Sequence, residues 1–225
     1  DFRKKEAPWI EDYALFMAIK RDNLDINWIE WDEKLRDRDP KALDDFRQNH
    51  KDDIDFYVFI QYEFFRQWKN LKEYANRRNI EIIGDLPIYV AFDSCDAWVN
   101  SEILAMDKIT KEPLIVGGAP PDAYSKNGQL WGNPVYDWDK LRNSSYDFWE
   151  KRIAMAFKTY DLLRLDHFRG FEKYYAIPAI DENAKFGSWE ISGGYEFFDH
   201  IIEKFPDKQF IACLLYTSPS PRDRG

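Results

Sequence analysis

Leu162-Leu163-Arg164-Leu165-Asp166-His167-Phe168-Arg169-Gly170 is a short apolar strand pattern that runs directly into an acid, a histidine and an arginine. A helical pattern precedes it, because apolar residues recur at helical spacing over residues 146–160. The same order of helix and strand occurs twice more: helix 56–79 with strand 80–85, and helix 194–205 with strand 209–212. Three helix-then-strand units predict an α/β fold with a parallel sheet.

The stretch between the first two units is long and rich in turn-forming residues. Residues 86–138 contain many Pro, Gly, Asp and Asn residues without sustained periodicity, and stretches of this kind are more often functional than idle. Two predicted strands end in an acid, Asp85 and Asp166. Catalytic groups of a (β/α) barrel lie at such strand ends, and an open doubly wound sheet places ligands similarly, so position alone leaves both architectures open.

The composition favours a neutral ligand. The formal net charge of -9 argues against nucleic acid or an anionic membrane as a partner, because phosphate surfaces repel an acidic chain. Nine Trp and thirteen Tyr suit stacking on sugars, although an aromatic-rich core explains them equally well. No apolar run reaches the length of a membrane span, and residues 1–4 carry no signal-peptide pattern.

The cysteine usage points to a reducing compartment. Cys95 and Cys213 lie far apart and no metal-ligand cluster accompanies them, so we expect neither a disulfide framework nor a zinc site. A cytoplasmic location fits this pattern.

The strand that ends at Asp166 carries the chemistry predicted from residue types. Side chains alternate along a strand, so Arg164 and Asp166 share one face. A nearby guanidinium favours an ionised carboxylate, which is the state that a nucleophile needs. A structural Arg-Asp pair explains the same residues, and a lone histidine such as His167 is also often structural.

Motifs along most of the chain resemble those of the amylomaltase family, the 4-α-glucanotransferases or disproportionating enzymes. The resemblance covers residues 9–212 and keeps the family's motif order. Its motifs are Trp9-Ile10-Glu11-Asp12-Tyr13-Ala14-Leu15-Phe16, Gln61-Tyr62-Glu63-Phe64-Phe65-Arg66-Gln67-Trp68, Gly84-Asp85-Leu86-Pro87-Ile88-Tyr89-Val90-Ala91 with Asp93-Ser94, Pro120-Pro121-Asp122 through Gly128-Gln129-Leu130-Trp131-Gly132-Asn133-Pro134, and Arg164 to Gly170.

The resemblance implies part of a (β/α)8 TIM barrel with a long irregular insertion after an early strand. It implies a retaining transfer of α-1,4-glucan segments between maltooligosaccharides, without a metal or organic cofactor. The implied site residues are Asp166 as nucleophile, Arg164 orienting it, His167 and Asp93 as sugar contacts, and Gln129, Trp131 and Tyr124 on a loop over the cleft. Asp85 is expected to be structural.

The sequence departs from the family at two places that bear on the site. The family continues from the strand at 209–212 into Glu-Asp-Leu-Gly, with the glutamate as general acid/base, whereas this chain continues Cys213-Leu214-Leu215. We therefore expect an internal fragment in which 1–212 belongs to the catalytic domain, 213–225 is a foreign or disordered tail, and the chain alone is inactive. The second departure is Ser192-Gly193-Gly194, where the family usually has Gly-Pro-Gly.

Two other functions remain open at this point. A hydrolase of the α-amylase clan also uses a nucleophile at a strand end. A non-catalytic glycan-binding protein would carry Asp166 as a structural residue. Products formed from maltotriose would separate transfer from hydrolysis, and an Asp166→Asn change would separate catalysis from binding.

Overall fold

The computed structural model describes residues 1–212, which contain two β-sheets and a set of surrounding helices. The tail expected at 213–225 lies outside these residues. The α-helices are α1 (Phe2–Lys5), α2 (Ala7–Asp22), α3 (Glu33–Arg36), α4 (Pro40–Asn49), α5 (Lys51–Asn76), α6 (Cys95–Val99), α7 (Trp138–Asn143), α8 (Asp147–Thr159) and α9 (Gly194–Lys204). Short 3-10 helices span Trp28–Glu30, Ser101–Ile103 and Phe168–Phe171.

The first sheet is parallel and has the strand order β1-β4-β7. Its strands are β1 (Ile83–Leu86), β4 (Leu162–Leu165) and β7 (Gln209–Ala212). Leu86 pairs with Leu165, and Leu165 pairs with Ala212, so the three strands end level with one another. The predicted α/β class is confirmed, and each strand follows the helix that its sequence pattern predicted.

The second sheet is antiparallel and was not predicted. Its strands, in the spatial order β3-β2-β5-β6, are β2 (Ile115–Ala119), β3 (Gln129–Pro134), β5 (Lys173–Pro178) and β6 (Ser188–Ile191). The interpretation of 86–138 as irregular was therefore wrong in part, because this stretch contains α6, β2 and β3. The strand pattern is hidden by glycine: Gly117 and Gly118 occupy the middle of β2, and Gly132 lies in β3.

Aromatic side chains fill the core between α8, α9 and the end of β4. Trp149, Phe171 and Phe197 are fully buried, and their ring centroids lie 5.1–5.5 Å apart. Phe171 belongs to the turn that follows Asp166, so this turn packs against α9 through Phe197. This packing places the end of β4 on a rigid support.

Candidate active site

Asp166 stands directly after β4, the middle strand of the parallel sheet. Its backbone N–H donates to the Leu86 carbonyl oxygen at 3.1 Å, which extends the pairing of β1 and β4 by one residue. Leu163 and Leu165 are buried, whereas Arg164 is exposed and Asp166 is half-buried. The predicted alternation is confirmed, since Arg164 and Asp166 lie on the face opposite the two leucines.

An open cleft of about 250 Å³ lies against this strand end. Its walls come from the segment after β1, from β3 and from the residues after β4. It is lined by Pro87, Ile88, Tyr89, Trp131, Asn133, Asp166 and His167. Within residues 1–212, Asp166 is the one acidic side chain of this lining, in a wall that is otherwise aromatic, apolar or neutral.

His167 adopts a left-handed backbone conformation beside Asp166. Its φ of 48° is uncommon for a residue other than glycine, although histidine adopts this region more often than most residues. Burial lowers the pKa of His167, the Asp166 carboxylate opposes this shift, and the charge of Arg169 adds to it. The Nε2 atom is buried without a hydrogen-bond partner among the described residues. His167 thus lines the cleft while its Nε2 atom is covered and lies towards Gly170, where a Cβ atom would be 3.1 Å from it.

Trp131 supplies the aromatic wall of the cleft. Its ring meets the His167 ring edge-on, with centroids 5.1 Å apart and an interplanar angle of 88°. The indole Nε1 donates to Gln129 Oε1 at 3.1 Å, because residues two apart on β3 face the same side. Asn133, on the same face, donates to the Val90 carbonyl oxygen at 2.9 Å. Gln129 thus holds Trp131 without lining the cleft itself.

Arg164 forms a bidentate ion pair with Asp85. Nε donates to Asp85 Oδ1 at 3.0 Å and Nη2 donates to Oδ2, since the two residues are direct partners in the pairing of β1 and β4. About half of each side chain is exposed, so the pair contributes on the order of 0–1 kcal/mol to folding. Arg164, two residues before Asp166, thus contacts a carboxylate of the neighbouring strand.

Asp93 and Tyr124 lie outside the cleft lining. Asp93 Oδ2 accepts from Lys20 Nζ at 2.6 Å, and Lys20 also donates to the carbonyl oxygens of Asp25 and Ile26. Tyr124 is fully exposed in a turn closed by the Asp122 carboxylate, which accepts from the Tyr124 N–H at 2.8 Å. Of the residues predicted from the sequence, the structure brings together Asp166, His167 and Trp131, with Gln129 behind Trp131.

Several residues of the site were not predicted. The Ile88 carbonyl oxygen accepts from Tyr136 Oη at 2.9 Å and from Arg152 Nη1 at 3.0 Å, which fixes the cleft wall from behind. Tyr89 packs over Gly117, where a Cβ atom would lie 2.5 Å from its ring. The motif at 84–91 contains Ile88 and Tyr89, but nothing local in it indicates which side chains face the cleft.

Residues 1–212 contain no group of three or more His, Cys, Asp or Glu side chains placed to hold a metal ion. In the same part of the chain, every helix is too short or too polar to span a lipid bilayer.

Comparison with known proteins matches residues 1–214 to the family described as 4-alpha-glucanotransferase. A 4-alpha-glucanotransferase from Clostridium butyricum is 46% identical over 211 residues, which are 94% of this chain and 43% of that protein. One from Aquifex aeolicus (strain VF5) is 44% identical, with the same two coverages. The chain thus spans less than half the length of these relatives.

Two solved structures are similar. Amylomaltase from Streptococcus agalactiae in complex with acarbose superposes with a TM-score of 0.91 at 42% identity, covering 97% of this chain and 44% of that one. Amylomaltase from Corynebacterium glutamicum gives a TM-score of 0.74 at 17% identity, a likeness of fold alone, over 97% of this chain and 28% of that one.

Proposed function

This chain belongs to the 4-alpha-glucanotransferase family, and we propose that the protein containing it moves α-1,4-glucan segments between maltooligosaccharides by a retaining double displacement. The observation that carries the proposal is the position of Asp166, at the end of β4 and in the wall of the cleft. A carboxylate there attacks the anomeric carbon of the donor glucan; the glycosidic bond breaks, the leaving glucan takes a proton from a second carboxyl group, and a covalent glycosyl-enzyme intermediate remains. The hydroxyl of an acceptor glucan then attacks the same carbon, gives its proton to that second group and releases the Asp166 carboxylate.

The neighbours of Asp166 suit a sugar in the donor position. His167 lines the cleft, and its covered Nε2 can accept a hydrogen bond from a ring hydroxyl only once it is uncovered, while Trp131 offers an aromatic surface next to it. The similar amylomaltase from Streptococcus agalactiae is in complex with acarbose, which supports a carbohydrate as the ligand of this cleft. We propose substrate-binding roles for His167, Trp131 and Gln129.

Arg164, Asp93 and Tyr124 are proposed to act from outside the lining of the cleft. The Asp85 carboxylate fixes the Arg164 guanidinium on the same strand as Asp166, so Arg164 contributes positive charge near the nucleophile. Tyr124 is fully exposed, so its ring is free to contact a glucan that extends beyond the cleft. For Asp93 to contact a sugar, its carboxylate must share or leave the ion pair with Lys20.

The second carboxyl group of a retaining enzyme has a defined place in this sheet. The family resemblance puts the acid/base glutamate directly after the strand that matches β7. Ala212 of β7 pairs with Leu165, and neighbouring strands lie about 4.8 Å apart. A glutamate following that strand would therefore be the neighbour of Asp166 on the adjacent strand, and retaining chemistry needs two neighbouring carboxyl groups. Residue 213 of this chain is cysteine, which cannot take this role.

The parallel sheet is proposed to be part of a (β/α)8 barrel in the catalytic domain to which residues 1–212 belong. Among the described strands, β1 and β7 each pair on one side only, and a barrel closes such edges. The exposed apolar side chains of α5 support the same proposal, because large apolar surface left in solvent marks a contact site. They are Phe56, Phe59, Tyr62, Phe64, Leu71 and Tyr74.

We also propose a cytoplasmic location. The described Cys95 is a free thiol whose pKa is raised by burial, as expected for a cysteine that serves packing in a reducing compartment. Cell fractionation with an antibody to the complete protein tests this proposal.

Product analysis tests the activity. A complete enzyme in which the family's glutamate follows β7, incubated with maltotriose, is expected to form longer oligosaccharides together with glucose. Release of glucose and maltose alone would instead identify a hydrolase, and binding without any product would identify a glycan-binding protein.

A further inference from the structure

Ser192 donates two hydrogen bonds to the turn that follows Asp166. It lies between β6 and α9, and only 3% of its surface is exposed. The Ser192 hydroxyl donates to the Gly170 carbonyl oxygen at 2.6 Å, and its backbone N–H donates to the Glu172 carbonyl oxygen at 3.0 Å. Ser192 thus donates hydrogen bonds to the carbonyl groups of Gly170 and Glu172, in the segment that follows Asp166 and His167.

Gly170 transmits this constraint to His167. The Gly170 N–H donates to the His167 carbonyl oxygen at 2.7 Å. A Cβ atom at Gly170 would lie 2.4 Å from His167 Cδ2 and 2.9 Å from Ile88 Cδ1. The imidazole therefore rests directly on the Gly170 backbone, and a shift of that backbone displaces the ring within the cleft.

The hydroxyl is the side-chain donor that the segment Ser192-Gly193-Gly194 offers to this turn, because glycine has no side chain. Gly194 has a φ of 56°, in the left-handed region that favours glycine. Ser192 therefore provides a buried hydrogen bond behind the turn that carries His167.

We propose that Ser192 is a positioning residue that fixes the His167 imidazole beside Asp166 and Trp131 through the Gly170 carbonyl group. Charged groups near the ring are Asp166 and Arg169. The positioning stands on the geometry alone, and its consequence for glucan affinity rests on the proposed function.

The test uses NMR of the histidine side chains in the 225-residue chain, which contains only three histidines, His50, His167 and His200. Ser192→Ala and Ser192→Gly remove the hydroxyl, and both are expected to move the His167 ring signals toward the unfolded-chain position and to raise its pKa, because the ring gains access to water. Ser192→Thr keeps the donor and is expected to restore the wild-type signals.

Thr159→Val is the matched control. It removes another buried hydroxyl, whose Oγ1 donates to the Met155 carbonyl oxygen at 3.2 Å, and is expected to leave His167 unchanged. Unchanged His167 signals in both Ser192→Ala and Ser192→Gly would overturn the proposal. If these variants shift all three histidines together through unfolding, Ser192→Thr decides: wild-type His167 signals support the positioning, and displaced signals contradict it.

Acarbose, titrated into the same samples, tests the functional consequence. Loss of one buried hydrogen bond is expected to weaken binding by roughly three- to tenfold in Ser192→Ala, with the wild-type affinity kept in Thr159→Val. In the complete protein, Ser192→Ala is expected to raise KM more than it changes kcat. A wild-type chain and complete protein that fail to bind acarbose would defeat the proposed function, while the His167 signals would still test the positioning.

Discussion

The imidazole of His167 meets the indole of Trp131 edge-on, although the two residues come from different sheets. His167 comes after β4 of the parallel sheet, and Trp131 lies in β3 of the antiparallel sheet, with ring centroids 5.1 Å apart. The cleft beside Asp166 therefore exists only when both sheets are in place. This contact joins the proposed nucleophile strand to the proposed sugar-binding wall.

Replacement of Trp131 by alanine is expected to weaken carbohydrate binding without unfolding the chain. Aromatic contacts of this kind contribute about 0.5–1.5 kcal/mol, so acarbose affinity should fall roughly two- to tenfold. Calorimetric titration with acarbose measures the change. Trp189→Ala is the matched control, because Trp189 has similar exposure (43% against 37%) but pairs across from Tyr175, away from the cleft lining. Equal losses in the two variants would contradict the assignment of Trp131.

The ion pair between Lys20 and Asp93 is expected to tether α2 to the segment after β1. Lys20→Met and Asp93→Asn should each lower the free energy of unfolding, and the double variant should lose less than their sum. The coupling expected for a partly exposed pair is about 0.5–1 kcal/mol, measured by urea denaturation.

Acarbose titration of the Asp93→Asn variant separates this tether from the sugar contact proposed for Asp93. A strong loss of affinity in Asp93→Asn that is absent from Lys20→Met would support the sugar contact. If the losses of unfolding free energy in Lys20→Met and Asp93→Asn add up in the double variant, the predicted tether is contradicted.

Acidification is expected to destabilise the chain through His167. Burial holds the pKa of His167 below its usual value, so the unfolded chain binds more protons once the pH falls below about 6.5. Stability from the neutral ring is therefore fully present above that pH and is lost as the pH decreases. The fall in Tm between about pH 7.5 and 5.5 should be smaller in His167→Gln than in the wild type. Equal decreases in Tm in the two proteins would show that His167 does not cause the loss of stability, since His50 and His200 are present in both.

The parallel half of the fold is predictable because its signals are local. Helical spacing over 56–79, 146–160 and 194–205 corresponds to α5, α8 and α9 within a few residues, apart from an earlier start of α5 at Lys51. The apolar segments after them correspond to β1, β4 and β7. Each element can be recognised in a short window because its apolar face repeats within that window.

The antiparallel sheet and the details of the site depend on contacts that are remote in sequence. β2 pairs with β5 across more than fifty residues, and its glycines lack the side chains that would mark a strand. Asp93 lies 73 residues from Lys20, and Arg164 lies 79 residues from Asp85, so neither ion pair is visible in a local pattern. The sequence indicates which residues suit a sugar site, but it does not indicate which side chains they contact.

The covalent intermediate provides the most direct test of the proposed chemistry. A repaired, complete enzyme, in which the family's Glu-Asp-Leu-Gly follows Ala212 in place of Cys213, would be incubated with a fluorinated maltooligosaccharide that traps the glycosyl-enzyme, then digested and analysed by mass spectrometry. The label is expected on the peptide that contains Asp166, and it should be absent from an Asp166→Asn variant. A label on any other side chain, or an unlabelled protein that still transfers glucan, would contradict the account.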